Sequence, residues 1–276
     1  MNPTILLIGL GHVGGAVLDL LAREPEVGRI VACSRDAERG AARCRLAQMA
    51  AAAFGKAPTI EYLALDLDDR EAAAETVSRV APDLVFASVS MQTWWLADLL
   101  PEGPAELLRR ARFGAWLPVH LAPNLKLMQA LREAGYGGHV LTASYPDVVN
   151  VVLGRLDLAP TSGVGNVDEM AIKMQLMAAD RLGLPLGSVR IEMVAHHALE
   201  PHVFGGGIGD PPPYFLRVEA EGREVTGELD TGELLFGRFA FPRGPGWALL
   251  TAASVLRLIR GLFSGESTRL HAPGPD

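Results

Sequence analysis

The stretch Thr4-Ile5-Leu6-Leu7-Ile8-Gly9-Leu10-Gly11-His12-Val13-Gly14 decides the fold. Residues 4–8 are apolar and rich in β-branched side chains, which predicts a short strand buried on both faces. Val17, Leu18, Leu20 and Leu21 follow at helical spacing. Between strand and helix lies Gly-x-Gly-x-x-Gly, in the context that gives the pattern meaning. Gly9 permits the tight turn, Gly11 lets a pyrophosphate approach the backbone, and Gly14 lets the helix pack closely on the strand. His12 and Val13 open the helix, whose free N–H groups and partial positive charge face the phosphates. A glycine-rich turn without a ligand is the alternative; the strand–turn–helix order favours dinucleotide binding.

The next segments extend the same architecture. Strands are predicted at 29–34, 59–65, 84–88 and 139–143, and helices at 36–54, 70–80, 104–112 and 121–134. This alternation predicts an α/β chain with a Rossmann-type doubly wound parallel sheet. In NAD-binding chains an acidic residue near the end of the second strand holds the ribose hydroxyls. Here Ser34 occupies that position and Arg35 follows. A hydroxyl and a guanidinium suit a 2′-phosphate, whereas a carboxylate would repel it. The cofactor reading is therefore NADP. NAD stays open, because Asp36 offers the ribose an acid. Asp66, Ser88 and Ser90 stand at the carboxyl ends of the third and fourth strands and join the cofactor-binding set.

Composition narrows the possibilities further. The chain has 276 residues, 49% hydrophobic and 21% charged, with a formal charge of −7. One large or two small domains fit that length. The acidic balance argues against general nucleic-acid binding. No apolar run approaches the roughly 18 residues of a membrane span. Met-Asn-Pro followed at once by a strand-like run lacks the parts of a signal peptide. Cys33 and Cys44 have neither metal-site nor disulfide-framework spacing. A cytoplasmic protein acting on a small molecule is expected, with a Rossmann domain over residues 1–147 and a smaller α+β domain over 148–276. Tyr-x-x-x-Lys, the Walker loop, Gly-x-Ser-x-Gly and His-Glu-x-x-His are all missing from the sequence.

The second half begins Tyr145-Pro146-Asp147-Val148-Val149-Asn150, and then Gly163-Val164-Gly165-Asn166-Val167-Asp168-Glu169. A helix is predicted to about Leu182. A strand, Val189 to Val194, leads into His196-His197. Residues 198–213 read as a long loop, 214–220 and 223–226 as a strand pair, and 246–263 as an apolar helix. This order resembles the lactate/malate dehydrogenase family. The resemblance implies that Asp168 orients His197, and that His197 moves a proton to or from the substrate oxygen as hydride transfers. A histidine is the natural proton carrier near neutral pH, and a carboxylate on its far nitrogen fixes the tautomer. His196 is the adjacent rival; strand alternation would turn it to the opposite face. By family analogy the chain is expected to form a homodimer. Members usually continue with a final hairpin and helix, so the chain is expected either to be shortened at its C-terminus or to close in a simple tail.

The departures from that family concern the substrate. The arginine three residues after the aspartate is Ala171, the Thr-Arg pair after the fourth strand is Thr93-Trp94, and the Asn of Asn-Pro is Tyr145. A simple 2-hydroxy acid, which a guanidinium would hold, is therefore not expected. Lys173 and the arginines at 109, 110 and 112 are candidate replacements. Trp94, Trp95, Tyr145 and His196 are assigned to the substrate wall, and Trp116 and His120 are possible additions. Three other readings stand beside this one. NAD- and metal-dependent glycosidases of the same superfamily would use His196, His197, Asp168, Asn166 and His202 on a divalent ion, although no metal is expected here. Saccharopine-dehydrogenase-like reductases share Gly-x-Gly-x-x-Gly and a Ser-Arg-Asp segment, here Ser34-Arg35-Asp36, and imply an imine or amino acid. A non-catalytic dinucleotide-binding protein is the third.

Overall fold

The computed structural model describes all residues except 1, 94, 95, 97, 98, 111, 206, 208, 242, 243, 275 and 276. The chain forms two compact units. The first comprises Met1–Val164, Gly244–Gly265 and Gly274–Asp276, and the second Gly165–Arg243 and Glu266–Pro273.

In the first unit the elements run β1 (Thr4–Ile8), α1 (His12–Leu21), β2 (Arg29–Ser34), α2 (Ala37–Ala53), β3 (Thr59–Ala64) and α3 (Arg70–Val80). They continue with β4 (Leu84–Ala87), α4 (Glu102–Arg110), α5 (Arg112–Glu133), β5 (His139–Thr142), α6 (Pro146–Arg155) and β6 (Ser162–Gly163). The six strands pair in parallel in the order β3-β2-β1-β4-β5-β6. The direction of winding reverses between β1 and β4, which is where open α/β sheets bind ligands. Leu6, Val31, Val85, Leu127, Leu131 and Leu153 share one buried cluster, with side chains from three strands and two helices. Each such side chain contributes about 1.5–3 kcal/mol on burial.

The domain boundary lies at 164/165, seventeen residues beyond the 147 expected from the sequence. The reason is β6, which pairs Leu141 with Ser162 and Thr142 with Gly163 and so belongs to the first sheet. The C-terminal apolar helix, α10 (Ala248–Phe263), also belongs to the first unit. It lies against α1, and Arg260 reaches Glu24 at 2.7 Å. The helix expected at 121–134 begins at Arg112 and runs through Pro118 and Pro123. Proline lacks an N–H, so Pro123 cannot serve the carbonyl four residues back. That carbonyl, on Val119, accepts instead from Met91 N at 2.8 Å.

The second unit holds α7 (Val167–Leu182), β7 (Val189–Ala195), α8 (Glu200–Val203), β8 (Tyr214–Ala220), β9 (Arg223–Glu224) and α9 (Thr231–Phe236). β7, β8 and β9 form an antiparallel sheet, and α7 lies against β7. Its core gathers Met170, Met174, Ile191, Met193, Val218 and Leu235. The supposed loop at 198–213 contains α8, and the second strand of the pair stops at Glu224 because a 3-10 turn begins at Thr226. The sequence reading did not anticipate α9, whose cap is Asp230 accepting from Glu233 N at 3.0 Å. Segment 266–273 runs beside β7: His271 Nε2 accepts from Met193 N at 3.1 Å, and Arg269 pairs with Glu192 at 3.2 Å.

Lys173 ties this unit together. It is 2% exposed, and its Nζ donates to the carbonyls of Val203, Leu235 and Gly237 at 2.6, 2.7 and 3.3 Å. Burial lowers its pKa to about 8. The ammonium still dominates at neutral pH, and its three N–H groups match three acceptors. Lys173→Met is expected to lower stability by about 2–4 kcal/mol, because it strands buried carbonyls. Urea denaturation followed by circular dichroism measures this; a loss below about 0.5 kcal/mol would refute the role.

Candidate functional site

The opening turn is built from backbone contacts. Gly9 has φ +98, in the region that favours glycine, and its N donates to Cys33 O at 2.9 Å. A methyl group on Gly14 would come within 1.8 Å of the Gly9 carbonyl oxygen and 2.6 Å of Ser88 Oγ. Ser88 Oγ donates to that same carbonyl at 3.1 Å, and Ser88 N donates to Ile8 O. Gly11 differs: among the described residues, apart from its chain neighbours, nothing lies within 4 Å of where its Cβ would stand. It is the N-cap of α1 and, lacking a side chain, makes no side-chain capping hydrogen bond. The first N–H groups of α1 are therefore left for backbone or ligand acceptors. His12 is exposed beside it and Val13 is half-buried. Turn, open space and helix start together fit a pyrophosphate.

At the end of β2, Ser34 Oγ lies 3.2 Å from Tyr62 Oη and 3.3 Å from the Asp36 carbonyl. Asp36 caps α2 through Oδ1, which accepts from Arg39 N at 3.0 Å. One of its carboxylate oxygens is thus committed to the helix. Arg35 is exposed and forms no hydrogen bond or ion pair among the described residues. Arg39, one turn into α2, also exposes its side chain. The sequence reading missed Arg39; its spacing of four from Arg35 was the available signal. Asp66 follows β3, and its Oδ1 accepts from Asp68 N at 3.1 Å in a local turn.

Beyond β4 and β5 the first unit gathers a further polar group. Ser88 and Ser90 are half-buried. Val89 O accepts from Asn124 Nδ2 at 3.3 Å, and a methyl on Gly9 would stand 3.1 Å from Val89 Cγ1. Tyr145, the N-cap of α6, has φ 57 and ψ 48 and stacks on His120 with ring centroids 5.0 Å apart. Trp94 and Trp95 lie outside the described residues.

The acid/base candidates lie in the second unit. Asp168 is 3% exposed in the first turn of α7, next to buried Glu169, where the positive helix end favours carboxylates. Its Oδ1 is 4.0 Å from His271 Nδ1. His271 accepts a backbone N–H at Nε2, so its neutral form carries its proton on Nδ1, toward Asp168. His197 is 15% exposed, and its Nε2 is 2.9 Å from Glu200 Oε2. The alternation argument for His196 does not apply, because β7 ends at Ala195 and a 3-10 turn starts at His197. His196 instead caps that turn, with Nδ1 accepting from Ala198 N at 3.0 Å. Lys173 is satisfied within its own unit and is not a replacement for the missing arginines. Glu200 and His271 were not singled out from the sequence. Among the described residues no group of three or more His, Cys, Asp or Glu is placed to hold a metal ion, and no helix is long and apolar enough to cross a membrane.

Comparison with known proteins agrees with this geometry. Residues 5–93 match the family model of the saccharopine dehydrogenase NADP binding domain. No curated protein is similar enough in sequence to match. Among solved structures, the lactate dehydrogenase MGS-M5 from a Medee basin deep-sea metagenome library superposes with TM-score 0.68 at 12% identity, covering 98% of this chain and 81% of that one. The lactate dehydrogenase of Cryptosporidium parvum, complexed with lactic acid and nicotinamide adenine dinucleotide, gives TM-score 0.67 at 12% identity, with 99% and 80% covered. The malate dehydrogenase of Picrophilus torridus gives 0.61 at 14% identity, with 97% and 71% covered. The chain thus has the fold of lactate and malate dehydrogenases, a Rossmann-type sheet followed by a smaller antiparallel one.

The two glycines make opposite stability predictions. Gly14→Ala is expected to cost about 1–3 kcal/mol or to abolish folding, since its methyl meets backbone. Gly11→Ala should move the melting temperature by no more than about 2 °C. Thermal unfolding of both variants checks the pair; equal destabilisation would contradict the described turn.

Proposed function

We propose that this protein is a nicotinamide-dinucleotide-dependent oxidoreductase that prefers NADP and reduces or forms a small carbonyl compound. The observation that carries the reading is the open space over Gly11 at the start of α1, beside the point where the sheet's winding reverses. The lactate and malate dehydrogenases that share the fold support it, as does the matched NADP binding domain model. Gly9, Gly11 and Gly14 would hold the pyrophosphate with the N–H groups of His12 and Val13. Exposed Arg35, with Arg39 nearby, would pair with a 2′-phosphate, while Asp36 is partly spent on its helix cap. Ser88 and Ser90 stand beyond β4 on the same side of the sheet, and Asp66 beyond β3.

A nicotinamide bound there supplies or accepts the hydride. His197 carries the accompanying proton, with Asp168 as its orienting carboxylate. Tyr145, His196, Trp94 and Trp95 contribute to the substrate wall. Ala171 offers no charge, so the substrate has no carboxylate next to the reacting carbon. A homodimer in the cytoplasm completes the reading. The matched saccharopine dehydrogenase model favours one second reading, in which an imine takes the place of the carbonyl.

Calorimetric titration tests the cofactor. NADPH is expected to bind about tenfold or more tightly than NADH, and Arg35→Asp should erase or reverse that preference. Tighter binding of NADH by the unaltered protein would overturn the NADP assignment. Gly11→Ala should weaken both nucleotides while its fold persists. His197→Ala should lower kcat by about 100-fold or more and flatten the pH–rate profile. An unchanged profile would remove His197 from the proton step.

A further inference from the structure

His120 is 6% exposed, and among the described residues neither of its ring nitrogens has a hydrogen-bond partner. One turn along α5, Asn124 is fully buried, and its Oδ1 is also unpartnered. Its Nδ2 donates to His120 O at 2.7 Å and to Val89 O at 3.3 Å. Buried polar groups are nearly always satisfied, so two adjacent exceptions call for an occupant. An ordinary structural histidine would have found a partner within the fold.

The position of the pair narrows the occupant. Val119, beside His120, is bonded to Met91, and Asn124 is bonded to Val89; both partners belong to the chain leaving β4. The imidazole stacks on Tyr145, which follows β5. β4 and β5 are adjacent parallel strands, so the pair sits at their carboxyl ends. Val89 in turn crowds Gly9 of the opening turn. Burial lowers the His120 pKa to about 4, so the ring is neutral and offers one N–H and one bare nitrogen. Such a group matches an uncharged ligand and gives a carboxylate no compensating charge.

We propose that His120 and Asn124 position the carboxamide of the bound nicotinamide, His120 through its ring nitrogens and Asn124 through Oδ1. The inference rests on the nucleotide reading above. A carboxamide brings N–H donors and a carbonyl; the pair brings acceptors on both residues and a donor on His120. The arrangement is built into the first unit alone, on α5 and the two strand ends.

The test compares NADPH with 2′-phospho-ADP-ribose, which lacks the nicotinamide, by calorimetry on the full chain. His120→Phe keeps a ring against Tyr145 and removes the polar atoms. It should weaken NADPH about three- to tenfold and leave 2′-phospho-ADP-ribose unchanged. His120→Gln should recover most of that loss. An NADPH-to-fragment ratio unchanged in His120→Phe overturns the proposal and leaves only buried water or packing at the site. If the unaltered protein binds neither probe, the nucleotide reading itself fails. Should His120→Phe not fold, nitrogen NMR of the unaltered protein decides. The His120 ring resonances should shift with NADPH and not with the fragment, and equal behaviour toward both overturns the assignment.

Discussion

The approach of Gly14 to the Gly9 carbonyl is the constraint on which the first unit depends. A single methyl group would collide with backbone there. Because no side chain intervenes, α1 starts directly above the end of β1 and runs back along the sheet. The same carbonyl accepts from Ser88 Oγ, which fixes the end of β4 against the turn. One close contact therefore sets three things together: the direction of α1, the position of the strand beyond the winding reversal, and the open space over Gly11. The dinucleotide reading follows from that geometry and needs no charged side chain to begin.

Polar groups in the two units obey different rules. Lys173 is buried with three carbonyl acceptors, and its charge is consumed by structure. Arg35 is exposed and has no hydrogen-bond or ion-pair partner among the described residues; its charge acts on nearby Asp68 without being locked to it. His120 is the intermediate case, a neutral buried ring whose nitrogens have no hydrogen-bond partner among the described residues. Counting basic residues in the sequence treats the first two as equals. Burial and partners separate them, and only the second kind bears on recognition.

Much of the first sheet was legible because its strands are continuous apolar runs between glycine or acidic turns. The Gly9–Gly14 pattern and the helix at 70–80 read directly from residues 4–87, and the acidic pair Asp68-Asp69 before that helix signals its cap, which the structure assigns to Asp69. The long α5 was legible only from residue 121, because prolines such as Pro118 and Pro123 suit the start of a helix and not its interior. Their cost is met locally, where Met91 N takes over one orphaned carbonyl, and that partner lies 28 positions away in sequence. Glu200 beside His197 was close enough to notice, three residues on. His271 beside Asp168 was not, being separated by more than a hundred residues. Distant pairing of that kind leaves no periodic trace in a single sequence. The stacking of His120 on Tyr145 is hidden for the same reason.

The return of α10 to α1 has a practical meaning for anyone dissecting this protein. The first unit is not a contiguous stretch of the gene: its last helix is encoded some eighty residues after the rest, between the two segments of the second unit, 165–243 and 266–273. A fragment ending near residue 164 would leave the outer side of α1 uncovered, an apolar surface inviting aggregation. A loop-bridged version, in which a short linker replaces residues 165–243 and the chain stops near residue 265, would keep that helix in place and is the sounder route to an isolated module.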